Sequence, residues 1–136
     1  MPETTSETRT DAPREITLQT IAMPCDTNAN GDIFGGWLMA QMDLGASVLA
    51  RRRAEGRVAT VAVEAMTFLQ PVRVGDVVSI EAEMLREGRS SMRIGLEVWV
   101  MRQPGNRRIQ VTEAVFTFVA IDEQGRARPL APPAQP

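Results

Sequence analysis

Asp43 is a carboxylate in a stretch that otherwise reads as apolar. Residues 28–53, NANGDIFGGWLMAQMDLGASVLARRR, run from a glycine-punctuated turn into a helix predicted from about Gly35 to Arg53. Trp37, Leu38, Met39, Met42, Leu44, Val48 and Leu49 fall all round that helix, the pattern of a central rather than a surface element. An ionised carboxylate withdrawn from water is costly or shifts its pKa, so an acid there needs a reason. Gly35 and Gly36 open the helix eight residues before Asp43 and carry no side chain over the first backbone N–H groups. At about 1.5 Å per residue the acid lies about 12 Å further along the axis. A helix N-terminus attracts negative charge, so the two features together suggest an oxyanion-binding end and a water-activating base. On pattern alone Asp43 is equally a helix acid facing solvent beside Ser47, and both readings stand.

The residue types that are missing remove most other chemistry. The chain has no histidine, so neither a Ser-His-Asp triad nor a Cys-His pair is available. All fifteen basic residues are arginine, which excludes Schiff-base lysines and a lysine-bearing phosphate loop. Codon usage is the plain explanation for that bias. Cys25, the single cysteine, has no base beside it, and it can form no internal disulfide. No cysteine-histidine cluster and no spaced acidic loop is present to hold a metal, and no cofactor is expected. What remains is carboxylate, hydroxyl and backbone chemistry.

The elements that must position these groups follow from length and pattern. At 136 residues, 43% hydrophobic and 24% charged, the chain has room for one core. A net charge of −2 argues against a nucleic-acid or membrane-surface footprint. Without a run of about 18 apolar residues or a secretory pattern at the start, a cytoplasmic protein is expected. Residues 1–14 and 124–136 read as flexible tails around a domain at 15–123. Ile16–Met23 alternates as a strand stopped by Pro24, and DTNANGD at 26–32 is a turn cluster. After Gly56 the period changes. Val58–Leu69 is apolar on both faces; Val78–Met84, Met92–Val100 and Ile109–Ile121 follow at hairpin spacing. The predicted class is α+β, a curved antiparallel sheet wrapped around one long helix.

The segments AMPCDTNANGDIFGGWLMAQMD, GRVATVAVEAMTFLQPVRVGDVV, GRSSMRIGLEVWV and TEAVFTFVAID, in that order, resemble the hotdog-fold acyl-CoA thioesterases. The bacterial YciA type is the most similar subgroup, and the resemblance runs over about residues 16–128. It implies an acyl-CoA substrate, a homodimer whose sheets join edge to edge, active sites at that interface, and commonly a trimer of dimers. It also implies that Asp43 is the catalytic carboxylate, acting on water or directly on the thioester carbonyl. Gly35 and Gly36 would supply backbone N–H groups to the carbonyl oxygen. Phe34 stands where many relatives have histidine, so that side chain brings no polar chemistry. Thr60 matches a hydroxyl that positions the water or the acid. Asp32 stands where some relatives carry an asparagine of the site.

Each of these residues also has an ordinary reading. Asp32 is equally a turn residue or the helix N-cap, and Thr60 is by default a strand former. Glu64 in its apolar strand is read as half of an internal salt bridge. Arg86, Arg89, Ser90 and Ser91 form a cationic turn that would be a plain solvated hairpin. The resemblance places it instead near the phosphates of coenzyme A, which arginine and small donors suit. Trp37 and Trp99 are read as core or interface anchors. Two rivals share the fold: a hydratase, which wants a histidine this chain lacks, and a non-enzymatic acyl-CoA sensor, which needs the tunnel without the base.

Overall fold

The computed structural model describes residues 13–132 together with the backbone of the short strand β1 (Thr8–Arg9). The other expected tail residues, 1–7, 10–12 and 133–136, lie outside the described residues. The elements run β1, β2 (Glu15–Ile21), a 3-10 turn (Pro24–Asp26), α1 (Gly35–Ala54), β3 (Val58–Phe68), β4 (Val77–Glu87), β5 (Ser91–Arg102) and β6 (Arg107–Ala120). All pairings are antiparallel, in the order β1-β4-β5-β6-β3, with β2 also lying on β4. β3 therefore forms one edge of the sheet, and β1 and β2 lie at the other.

One face of this sheet holds the helix. β4 and β5 alternate buried and half-buried residues along their length, as a sheet with one covered face requires. Val78, Ile80, Ile94, Val98, Phe116 and Phe118 meet Leu38, Met42, Ala46 and Ala50 of α1 in a single core. The small residues let the helix lie close. A Cβ on Gly45 would stand 2.7 Å from Ile80 Cγ2 and 3.0 Å from Thr17 Oγ1. This is the helix and curved antiparallel sheet that the sequence pattern predicts, and the hotdog arrangement that the resemblance implies.

Two predictions need restating. The helix is apolar all round, yet in one chain it is buried on one face only: Met39, Leu44 and Val48 remain exposed. β3, apolar on both faces, is an edge strand, with Val61 56% and Val63 41% exposed. The physical reason is shared: both surfaces are apolar, and nothing among the described residues covers them.

The far end of the helix is closed by the chain beyond β6. Glu55 turns left-handed at φ 54° and ends α1. Arg128 donates from Nη2 to the Ala54 carbonyl at 2.9 Å and from Nε to that of Ile121 at 3.0 Å. A guanidinium here satisfies an orphan carbonyl and complements the helix dipole. Leu130 N–H bonds the Arg89 carbonyl at 2.8 Å, and Arg53 pairs with Glu87 and the Ala131 carbonyl. Residues 124–132, expected as part of a tail, are thus tied to the helix end and to the β4–β5 turn.

Candidate active site

Asp43 lies two turns into α1, half-buried, where the helix meets the edge strand. Thr60 donates a hydrogen bond from Oγ1 to Asp43 Oδ1 at 2.7 Å. Register explains the meeting. Thr60 stands opposite Phe118, and Phe118 opposite Met92. Residues directly opposed on neighbouring strands share a face, and both of these partners are buried on the helix side. Thr60 therefore points inward, toward α1. The ladder is interrupted between Thr60 and Ala62, and such bulges re-aim side chains at sheet edges.

The helix N-terminus is open. Phe34 occupies the N-cap position and makes no side-chain capping bond, and no acidic residue lies in the first turn. Among the described residues no acceptor takes the N–H groups of Gly35 or Gly36. A Cβ at Gly36 would meet nothing within 4 Å, so no packing inside the chain demands glycine there. Beside this end lies an apolar cavity of about 300 Å³, walled by Phe34, Leu38, Phe68, Leu69, Pro71 and Val72 among others.

Asp32 is neither N-cap nor partner of Asp43. It is exposed in the turn before the helix, with its N–H on Asn28 Oδ1 at 3.1 Å. Asn28 organises that turn, accepting also from the Asn30 N–H at 2.8 Å. Glu64 forms its salt bridge, with Arg93 of β5 on the same face of the sheet. Trp99 is half-buried on the sheet face away from the helix, its Nε1–H on Glu97 at 2.9 Å and Arg108 over its ring at 3.8 Å.

The cationic turn is a tight one, with Gly88 N–H on the Ser91 carbonyl at 2.8 Å. Arg86 and Arg89 are exposed; Ser90 and Ser91 are half-buried. Ser91 shares a row of the sheet with Val119 and Ala59, next to the row of Thr60. Two strand spacings of about 4.8 Å put the turn about 10 Å across the sheet from Thr60. Arg89, Ser90, Ala127, Arg128 and Pro129 enclose a further cavity of about 290 Å³. Among the described residues no cluster of histidine, cysteine or carboxylates is arranged to hold a metal. No described helix is long and apolar enough to cross a membrane.

Sequence reasoning missed one buried feature. Arg102 and Asp76 are 7% and 2% exposed and bond through two contacts, Nε to Oδ1 at 3.0 Å and Nη2 to Oδ2 at 2.8 Å. The hydrogen bonds that Arg102 donates to Asp76 hold the guanidinium's pKa above its ordinary value, against the opposing effect of burial. No local pattern in the sequence links Asp76 to so distant an arginine.

Known proteins share this architecture and much of the sequence. Residues 30–103 match the Thioesterase superfamily. The acyl-CoA thioester hydrolase YciA of Salmonella typhimurium is 56% identical over 119 residues, covering 85% of this chain and 90% of that one. A crystal structure of a hexameric thioesterase from Yersinia pestis superposes with a TM-score of 0.84 at 55% identity, over 88% of this chain and 97% of the other. So does that of a hexameric broad-specificity acyl-coenzyme A thioesterase, an aspartate-to-alanine variant, with a TM-score of 0.84 at 54% identity over 86% of each chain. With its helix held against one antiparallel sheet and this likeness along most of its length, the chain belongs to the thioesterase superfamily.

Proposed function

We propose that this protein hydrolyses acyl-CoA thioesters to the free acid and coenzyme A, with Asp43 as the group that activates water. The observation that carries the reading is the Asp43–Thr60 contact at the lip of the free sheet edge. Thr60 occupies one carboxylate oxygen and fixes its rotamer, leaving Oδ2 for a water. The acyl-CoA hydrolases and thioesterases among the relatives support the substrate.

The reaction needs a second set of donors. The glycine end supplies unpaired N–H groups at the positive end of a helix, suited to the oxyanion of a tetrahedral intermediate. Within one chain, however, the two parts stand about 12 Å apart along the helix axis, with the exposed Met39 and Ala40 between them. A water about 2.8 Å from Asp43 and about 3 Å from a carbonyl carbon leaves that carbonyl short of the same helix's glycine end. We infer that the thioester lies between two copies of the chain, with Asp43 and Thr60 from one and Gly35-Gly36 from the other. The exposed apolar residues of β3 and α1 are what such a pairing would cover, and relatives in this family are hexameric.

The steps then balance without a cofactor. Asp43 takes a proton as water adds to the carbonyl carbon; the oxyanion rests on the glycine N–H groups. The C–S bond breaks, the thiolate leaves, and the proton held by Asp43 passes to it. The cationic turn at Arg86–Ser91 is assigned to the phosphate end of the coenzyme, where arginine forks suit phosphate oxygens. Release of free thiol from a panel of acyl-CoAs tests the reading. It is sustained if Asp43→Asn keeps its fold and loses turnover, and it fails if that variant is as active as the parent.

A further inference from the structure

Resting on that reading, we propose that the acyl chain of the substrate lies in the cavity beside the glycine end, and that the buried Arg102–Asp76 pair is the positioning element that holds its wall. The cavity opens at Gly35, and its lining is apolar apart from Gln70. A pantetheine arm carries two amides, and burying them without hydrogen-bond partners is costly. An acyl chain makes no such demand. The thioester carbonyl at the glycine N–H groups would therefore send its alkyl side into this space and its thiol side elsewhere.

One wall is Phe68, the last residue of β3, with the irregular connection from Leu69 to Val72 that leads toward β4. Such a segment does not hold itself. Its inner end is stitched to the sheet by Leu69 N–H on the Val111 carbonyl at 2.8 Å. Its outer end hangs on the ion pair. Arg102 Nη2 donates to the Pro71 carbonyl at 2.9 Å, while Asp76 Oδ2 accepts the Arg73 N–H at 2.9 Å. The Asp76 carbonyl takes the Ala22 N–H at 3.0 Å. The pair thus fastens the connection on both sides of Val72, at the point where Phe68, Leu69, Pro71 and Val72 face the cavity. A buried ion pair is often no more stabilising than apolar residues of the same volume. What an apolar pair would lack is the planar fork that fixes the direction of the Pro71 carbonyl and Asp76 together.

The test is kcat/KM for thiol release over straight-chain acyl-CoAs from acetyl to dodecanoyl, in the full-length protein and in Arg102→Leu, Arg102→Lys and Leu69→Ala. In Arg102→Leu the ratio of long- to short-chain kcat/KM changes by about tenfold or more, the scale of one misplaced methylene in an apolar pocket. Arg102→Lys, which keeps the charge but cannot span both partners, falls between. Leu69 is exposed, so Leu69→Ala folds; it changes the long-chain values more than the acetyl-CoA value. If Arg102→Leu does not fold, Asp76→Asn carries the same measurement. A fall of equal size at every chain length overturns the proposal, as does a Leu69→Ala variant that changes oligomeric state without changing selectivity. No thiol release from any acyl-CoA by the unaltered protein overturns the hydrolase reading and this one with it. Release with unaltered selectivity in the variants overturns this one alone.

Discussion

Thr60 and Asp43, seventeen residues apart in the chain, are joined by a 2.7 Å hydrogen bond across the gap between edge strand and helix. The bond orients the carboxylate beside β3, one of the two edges of the sheet. If Asp43 activates water, Asp43→Asn reduces kcat by about 10²–10⁴, the usual weight of a general base. Thr60→Val, which keeps the shape and removes the donor, reduces kcat by about tenfold, as loss of one hydrogen bond to a charged group does. Thr60→Ser restores most of it. Steady-state kinetics with circular dichroism as the folding control checks all three.

Gly36 separates stability from function. Its Cβ position is open, and alanine is favoured over glycine in a helix by up to about 1 kcal/mol. Gly36→Ala is expected to melt no lower than the parent. Its added methyl crowds the N–H groups offered to the carbonyl, so kcat/KM falls by about tenfold or more, within the range for a lost oxyanion donor. Thermal melting and turnover on the same preparation test the contrast.

Gly45 behaves in the opposite way. A methyl group there collides with Ile80 at 2.7 Å, and overpacking of a core costs about 1–3 kcal/mol. Gly45→Ala therefore lowers Tm by about 5 °C or more, despite its better helix propensity. A melt no lower than the parent's would show that helix and sheet have room to separate.

Val61 is the residue on β3 to test for pairing. It is 56% exposed in one chain, so Val61→Lys costs the monomer little. Placed between two joined edges, a charge at this position is unfavourable. The variant should elute as a smaller species in size-exclusion chromatography and lose turnover in the same step, because each site needs both copies.

The acid side of the stability profile carries a contribution from Glu15. Its hydrogen bonds from Arg52, at 2.9 and 3.2 Å, lower its pKa below the ordinary value, and burial opposes the shift only in part. A carboxylate depressed in the folded state contributes stability above its unfolded pKa, about 4.3. That contribution is lost as pH falls through the folded value. Both side chains are substantially exposed, 55% and 42%, so the effect is small and salt-screened. Glu15→Gln should melt slightly below the parent at pH 7 and converge with it in acid.

Much of this was legible in the chain. The change from helical to alternating period after Gly56 marks where α1 ends and the sheet begins, and the hairpin spacing predicts four long strands. The oddity of Asp43 was visible because its neighbours are apolar. Asp32 was not decidable, since turn residue, N-cap and site residue all use aspartate there; the structure places Phe34 at the cap instead. The reading of α1 as buried all round and of β3 as apolar on both faces was correct in composition and incomplete in meaning. Hydrophobicity reports that a surface wants covering and does not say by which chain.

By itself the sequence determined the elements, one long helix against an antiparallel sheet, and the restriction to carboxylate, hydroxyl and backbone chemistry. These depend on local period and on residue types that are simply present or missing. Only the tertiary structure decided that Thr60 meets Asp43, that Arg102 meets Asp76, and that an apolar cavity opens beside Gly35. Those relationships come from strand register and from how closely the helix settles on the sheet. Both depend on contacts between residues far apart in the chain, which no local pattern records.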